Sequence, residues 1–450
     1  MFTVVIFVDS KPRDLMGDAL IAYHLEKRGV RVILEPLASW RSCLGAWKPD
    51  FILFNHLNAD HLARFSQELK SYGVLSGILP NEGIFYVKGD LEFSSRKIFD
   101  NMHCNLILSW NDTHTHALIE NNVIQSDQIQ SIGVPRFDFY SPPWSQLYHN
   151  PSLKKSRPVV LVNSNFSCAH FHDLPAKDGD DFFSPWIEEI PCFADYRNAI
   201  NTHHHAQSQF PQFVDTLIKE DKYDIYVRPH PREDPRIYLN WYASIPDSQK
   251  KHLHLADMFN ITELILACDL EISCENCTTT LEAWLANKPT VGLTFAKHPM
   301  FYTQEVCSMQ PECNTPENLP ALVDHALANP DQPEFKNDRL AHLEKWIYKP
   351  DGKSAERAAD AILHAIENRP QPKNIRLSFG TRRRGLKLRM HSAINEPYNS
   401  RIKHVTKYKI FGKKGKQTIR YRNYLKAIRP SEVKEAIDSI RHAASQQPAQ

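Results

Sequence analysis

The chain contains no run of about eighteen apolar residues, so its sequence offers no helix fit to cross a bilayer. It also lacks the P-loop, the glycine fingerprint of dinucleotide-binding folds and the nucleophile elbow of serine hydrolases. Those absences remove three familiar routes to nucleotide or acyl chemistry. Nine cysteines lie at scattered spacings and form no disulfide framework, which makes a reducing compartment the simpler setting. The opening residues, Met1-Phe-Thr-Val-Val-Ile-Phe-Val-Asp9, carry no basic stretch and no small-residue cleavage site. They read as a first β-strand rather than a signal peptide. No internal repeat occurs at solenoid periods.

With 42% hydrophobic and 24% charged residues, the composition is that of a soluble globular protein. A length of 450 residues sets a prior of two domains plus additions. The net charge of +2 conceals an asymmetry. Residues 371–430 hold 18 Lys and Arg against one Glu, while residues 1–370 carry a net −14. An acidic body with a basic tail implies an anionic partner for the tail.

Strand-like and helix-like segments alternate from the start. Thr3–Val8 is a strand candidate; Asp14–Arg28 is helical and closes on Gly29, a C-cap signal. Val30–Leu34, Phe51–Phe54, Val74–Leu79 and Asn105–Leu108 are short apolar runs, with helical patterns such as Ala59–Tyr72 and Asp112–Asn121 between them. This rhythm predicts an α/β fold with mostly parallel sheets. Ser141-Pro-Pro-Trp144 interrupts it, and Pro158–Val162 opens a second α/β block. Residues 167–196 read as an irregular excursion, followed by a helix over Phe210–Lys219 and a strand over Tyr223–Val227. The expected architecture is two Rossmann-like domains facing a cleft. Residues 1–150 form an acceptor-side domain and 151–350 a nucleotide-donor domain. A closing helix spans 351–370, and a basic tail spans 371–450.

Two stretches carry the chemistry. Arg228-Pro-His230-Pro231 follows a strand, and Thr278-Thr279-Thr280 opens a helix after the strand Asp269–Ser273. Ligands of open α/β sheets bind outside the carboxyl ends of strands. A helix start offers free N–H groups and a positive dipole end to a phosphate. His230 can add a hydrogen bond or a proton to the same anion. Glu282, one turn into that helix, suits ribose hydroxyls; its plain alternative is a first-turn carboxylate complementing the dipole. Capping alone needs only one of the three threonines. In the first half, Asp9 and Glu82 sit at strand ends and suit acid–base or nucleophilic work at an anomeric carbon. Arg13, Arg136 and Asp138 are the candidate substrate-binding residues there. Cys274 and Cys277 have metal spacing, with Cys307 and Cys313 at an unusual gap. His203-His-His205 reads as a solvated loop, and no metal site is expected. The basic tail interleaves Lys and Arg with Leu, Ile, Tyr and Phe, as in Thr381–Met390, which suits an anionic membrane surface; no nucleic-acid signature is present.

Taken in order, these residues resemble the bacterial surface carbohydrate biosynthesis proteins of capsule and lipopolysaccharide assembly. The resemblance spans about residues 1–368. It rests on Asp9-Ser-Lys-Pro-Arg13-Asp14, Asn81-Glu82-Gly83, Lys97–Asp100 and Gly133-Val-Pro-Arg136-Phe-Asp138. It continues through Asn163-Ser-Asn-Phe166, Arg228–Pro231, Glu275–Pro289 and Asp351-Gly-Lys-Ser354. That family is similar to GT-B glycosyltransferases, and the His-Pro pair is similar to that of the CMP-sugar-using sialyl- and Kdo-transferases and the CDP-glycerol polymer enzymes, whose histidine contacts the donor phosphate. The resemblance implies a metal-independent transferase without a cofactor, using a nucleotide-sugar donor, CMP-sugar favoured, and a glycan or lipid-linked acceptor. It implies His230 on the donor phosphate with Thr278–Thr280 beside it; Arg228 can pair with the same phosphate or with an acidic neighbour such as Glu233. Outside the resemblance, the composition of residues 371–430 makes them the expected contact with the inner membrane, on its cytoplasmic face. Where an acidic pair is expected before the glycine, this chain has Asn81-Glu82. Two alternatives stay open: a CDP-polyol-dependent polyol-phosphate transferase, and a non-catalytic membrane-recruited scaffold.

Overall fold

Two six-stranded, all-parallel sheets organise the chain, each in its own compact unit. The computed structural model describes residues 1–153, 157–256, 259–369, 373–397 and 426–446. The first unit comprises Met1–Ile84, Ser95–Leu147 and Lys345–Gln450; the second comprises Phe85–Ser94 and Tyr148–Glu344.

In the first unit the strands are β1 (Thr3–Val8), β2 (Arg31–Pro36), β3 (Phe51–Phe54), β4 (Leu75–Ile78), β5 (Leu106–Ser109) and β6 (Ile129–Ser131). Their order across the sheet is β2-β1-β3-β4-β5-β6. Strands β1, β3, β4 and β5 are buried at every position, as expected when helices cover both faces of a parallel sheet. Unbroken apolar runs such as Val-Val-Ile-Phe-Val, residues 4–8, encode that burial. Helix Lys11–Lys27 returns the chain to β2, and Gly29 makes the exit at φ 77°, a conformation that favours glycine. The chain order reverses between β1 and β3, so the loops after Val8 and Phe54 flank a switch point.

The second unit uses β7 (Val159–Asn163), β8 (Asp224–Arg228), β9 (Leu253–Leu255), β10 (Leu270–Cys274), β11 (Thr290–Leu293) and β12 (Glu312–Cys313). The order is β12-β11-β10-β7-β8-β9, that of a dinucleotide-binding sheet, with its switch point between β7 and β10. Val160, Val162, Ile225, Val227, Leu270, Ile272, Val291 and Leu293 build the core with Phe210, Phe213, Val214 and Leu217 of helix Tyr196–Glu220. The segment from 167 to 220 corrects two expectations. Residues 167–196 are not irregular throughout, since they hold helix Ala176–Ile187 and two short 3-10 turns. The triplet His203-His-His205 is no solvated loop: it lies inside the long helix, and His203 is 1% exposed.

The end of the chain folds back on the first unit. Helix Ser354–Glu367 packs against Lys11–Lys27. Asp138, 2% exposed, supplies its N-terminal acceptors: Oδ1 accepts from Ser354 N–H (3.0 Å) and Oδ2 from Ala355 N–H (2.8 Å). A methyl on Gly133, at φ 90°, would overlap Ser354 Oγ, and one on Gly352, at φ 72°, would press on Ser141. The two motifs 133–138 and 351–354 therefore interlock as a clasp. Asp138→Ala is expected to cost about 1–3 kcal/mol, because two helix-start N–H groups lose a buried acceptor. A lowered denaturation midpoint checks this. Helix Phe379–Ala393, drawn from the basic tail, crosses helix Trp40–Trp47 with Gly385 against Gly45, where a methyl on either glycine would meet backbone. Helix Pro430–Ser445 packs on Lys11–Lys27.

Candidate functional site

Four loops leave the carboxyl edge of the second sheet next to one another, after β8, β7, β10 and β11. Glu233 ties the first two together. Its carboxylate is 7% exposed and accepts from Ser164 Oγ (2.8 Å), Phe166 N–H (2.9 Å), Gln207 Nε2 (2.9 Å) and Tyr238 OH. Burial raises its pKa, against the pull of those donors. Ser164 Oγ in turn accepts the His230 backbone N–H at 3.2 Å. The prolines on either side of His230 supply no donors of their own, so the His230 N–H and the Glu233 carboxylate register the turn on the segment after β7.

The His230 ring is oriented as well as placed. Its Nδ1 accepts from Arg232 N–H at 3.2 Å, which leaves the proton of the neutral ring on Nε2. Burial, then the charges of Arg232 and Arg228, push its pKa down to about 4. At neutral pH the site thus presents an uncharged Nε2–H donor with two guanidinium groups near it. That combination suits an oxyanion.

The threonines divide their roles. Glu271, fully buried on β10, accepts from Asn163 Nδ2 (2.7 Å) and Thr279 Oγ1 (3.0 Å), and burial pushes its pKa up to about 7. Thr280 Oγ1 is bonded to Ser273 Oγ. Both hydroxyls therefore fasten helix Thr278–Leu285 to the strand beneath it, and only Thr278 is exposed. Glu282 is buried at 8% exposure on the first turn of that helix.

Four buried polar atoms around this edge have no hydrogen-bond partner among the described residues: Asn163 Oδ1, Glu275 Oε2, Thr294 Oγ1 and His203 Nε2. Unpartnered buried groups are few in folded proteins and each calls for a reason. Glu275 is also a non-glycine residue at φ 44°, in the turn between β10 and the threonine helix. Its N–H donates to Leu293 O (3.0 Å), its Oε1 accepts from Ala296 N–H (3.2 Å), and burial pushes its pKa up to about 8. A strained backbone, a protonated carboxyl and an unmatched atom in one residue at a switch point are the marks of a binding position.

The first unit holds its candidates in an ion cluster. Arg13 Nε donates to Asp14 Oδ1 at 2.6 Å, and its guanidinium lies 3.6 Å from both Asp9 Oδ2 and Glu82 Oε1. Burial would lower the Arg13 pKa, but Asp14, Glu82 and Asp9 outweigh it and raise it. Lys426 Nζ meets Asp9 Oδ1 at 2.5 Å. Asp9 and Glu82 are thus brought to one arginine, with Glu82 the more accessible at 64% side-chain exposure. Arg136 lies over the Trp110 ring, 4.6 Å from its centroid. Arg13, Asp18, Asn55, Asn81 and Arg136 line one pocket at this edge. Asp18 and Asn55 each keep an unpartnered buried oxygen there, and burial raises the Asp18 pKa. Asp138 is not in this group, its oxygens being engaged by helix Ser354–Glu367.

Burial pushes the Cys277 and Cys307 thiols up to about 12. Among the described residues, His172, Asp173 and His204 bring three ligand atoms within 4.8 Å of one another on the surface.

No family model matches the chain, and no curated protein matches it by sequence. Solved structures match it by shape. The UDP-GlcNAc 2-epimerase of Methanocaldococcus jannaschii superposes with a TM-score of 0.50 at 13% identity, over 81% of this chain and 100% of that one. A co-structure of Staphylococcus aureus MnaA with UDP gives 0.51 at 11% identity, over 84% and 100%. The wall teichoic acid polymerase TagF, soaked with CDPG, gives 0.51 at 12% identity, over 82% and 90%. The chain has a GT-B-like fold.

Within this GT-B-like frame, several residues escaped the sequence reading of the site: Ser164, Glu233, Glu271 and Glu275. Asn163-Ser164 and Glu275 lay inside stretches already singled out, each directly after an apolar run. Their position at strand ends was the available signal. What no pattern disclosed is that Glu233 and Glu271 are buried hubs, since partners such as Gln207 and Asn163 lie 26 and 108 residues away.

Proposed function

We propose that the chain is a glycosyltransferase that uses a nucleotide-activated sugar, a CMP-sugar foremost, in bacterial surface polysaccharide assembly. The observation that carries the reading is the fixed Nε2–H of His230 at the end of β8. In this reading the donor phosphate rests on His230, Arg228 and the start of helix Thr278–Leu285, with Thr278 as the accessible hydroxyl. Glu282 takes the ribose. As the bond from phosphate oxygen to anomeric carbon breaks, these donors stabilise the charge gathering on the departing nucleotide. Glu82 or Asp9 takes the proton of the acceptor hydroxyl, and Arg13 and Arg136 hold an anionic sugar. Every positive group needed is a side chain or a helix start, so the reading calls on no metal or cofactor.

A polyol-phosphate transferase using a CDP-polyol is the second reading, supported by the likeness to TagF soaked with CDPG. A thermal-shift panel of CMP, CDP, UDP and GDP compounds tests both. A ligand at a hundred times its Kd adds about 2.7 kcal/mol, a shift of roughly 5–10 °C for a unit of this size. Cytidine compounds are expected to give the largest shift. Product analysis then separates the readings, a new glycosidic bond against a new phosphodiester. A panel with no shift at all would leave only a non-catalytic scaffold.

A further inference from the structure

We propose that helix Phe379–Ala393 is an interfacial helix that seats the first unit on an anionic membrane surface. The proposal is independent of the donor reading, because it rests on a different unit and on different residues.

The helix has two faces of opposite kind. Thr381, Gly385 and Leu388 are buried, and Gly385 lies close enough to Gly45 of helix Trp40–Trp47 to leave no room for a side chain. Arg389 Nε donates to Ala46 O at 2.7 Å and its guanidinium lies over Trp47. Ser378 caps the start by accepting from Thr381 N–H at 3.2 Å. The helix is thereby held rigidly, and its rotation is set.

That rotation turns large apolar side chains outward. Phe379 is 82% exposed, Leu386 60%, Met390 62%, and Ile394, directly after the last turn, 68%. Their spacing of seven, four and four residues puts them on one helical face. They are four of the nine large apolar side chains exposed among the described residues. Arg382, Arg383 and Lys387 are exposed among and beside them, and none forms an ion pair among the described residues. An apolar stripe bordered by unpaired cations is the pattern of a helix lying in the headgroup layer. Among the described residues no helix is long and apolar enough to cross a membrane, so the contact is one of lying on the surface.

Charge selects the occupant. Residues 398–425 of the same chain contain nine Lys and Arg and no Asp or Glu, so they share the sign of this face and do not complement it. They strengthen the pull of an anionic surface instead. Nucleic acid would meet the cations but would leave Phe379, Leu386, Met390 and Ile394 in water.

Sedimentation of the full chain with phosphatidylcholine vesicles, with and without 30% phosphatidylglycerol, provides the test. Binding is expected only to the anionic vesicles. A variant carrying F379S, L386S, M390S and I394S keeps every charge and alters only exposed positions. It should keep its melting temperature and bind at least tenfold more weakly. A single L386W variant should shift its emission to the blue when anionic vesicles are added. The proposal is overturned if the serine variant binds as well as the parent, if the emission of the L386W variant does not move, or if DNA is bound and vesicles are not.

Discussion

His230→Ala is expected to weaken nucleotide binding about 10- to 100-fold, the worth of a hydrogen bond to a charged partner at 1.5–3 kcal/mol. Stability should change little. The backbone N–H that registers the turn on Ser164 survives the substitution, and the loop is tied to β7 through Glu233 rather than through the ring. His230→Gln, with a donor of similar reach, should recover part of the loss. The pH dependence is the sharper readout. In the free protein the ring titrates at about 4, below an ordinary histidine, because it is buried and faces Arg232 and Arg228. The negative charge of a bound phosphate offsets the two cations, stabilises the imidazolium and raises that pKa. Binding then takes up a proton at pH values below the pKa of the complex and above about 4. Affinity for a CMP-sugar should be flat above neutrality and climb as pH falls through that window, since a phosphodiester stays anionic throughout. Calorimetry of the parent and of His230→Ala checks this. A slope that persists in the alanine variant would assign the proton to another group.

The parallel sheets were legible because burial on both faces leaves a sequence mark. Val4–Val8 and Phe51–Phe54 are apolar without interruption, and each lies in a strand as expected. Three of the four edge strands leave no such mark. Ile129–Ser131, Leu253–Leu255 and Glu312–Cys313 are two or three residues long, and only the neighbouring strand makes them visible. Helix Tyr196–Glu220 was legible only from Phe210 onward. Pro211 within it and the three histidines before it break the usual pattern, and aromatic packing around Phe166, His203 and Phe301 compensates. The basic tail reads in composition as one membrane-facing segment. Two glycines, Gly45 and Gly385, are what let part of it fold as a helix against the body, and glycine pairs 340 residues apart have no sequence signature.

The site shows the same division. Strand ends and helix starts follow from the order of elements, so the neighbourhoods of His230 and Thr278 could be named in advance. Side-chain direction could not. Thr279 and Thr280 turn their hydroxyls toward Glu271 and Ser273 because a buried carboxyl on β10 needs donors, and nothing in the Thr-Thr-Thr run indicates which of the three stays outside. Asp138 is a comparable case. It follows a strand like the other candidates, yet its oxygens are needed 216 residues later to start a helix.

Glu275→Gln is expected to stabilise the free protein at pH 8, which follows from the position of its carboxyl. Oε1 accepts from Ala296 N–H, so the proton of the neutral acid resides on Oε2, the atom without a partner among the described residues. Burial raises the pKa from 4.5 to about 8. Below pH 4.5 the residue is neutral folded and unfolded, and the raised pKa costs nothing. Between 4.5 and 8 the unfolded chain releases the proton while the folded site retains it. Stability therefore falls as pH rises, by about 1.4 kcal/mol for each pH unit crossed. The total at pH 8 is on the order of 4 kcal/mol. Glutamine is neutral at every pH and keeps an acceptor for Ala296. Its stability advantage over the parent should grow from near zero at pH 4.5 to a few kcal/mol at pH 8. Glu233, Glu271 and the other buried acids titrate alike in both proteins and cancel in the difference. Denaturant titrations across that range measure it, and parallel curves would show that Glu275 ionises freely. The functional counterpart concerns the unmatched proton. An O–H donor at a switch point, with no acceptor among the described residues, suits an acceptor atom on a ligand; the amide of glutamine supplies an N–H in its place. Nucleotide affinity is therefore expected within a few-fold of the parent for Glu275→Gln. It should fall at least tenfold for Glu275→Leu, which fills the same space and donates nothing.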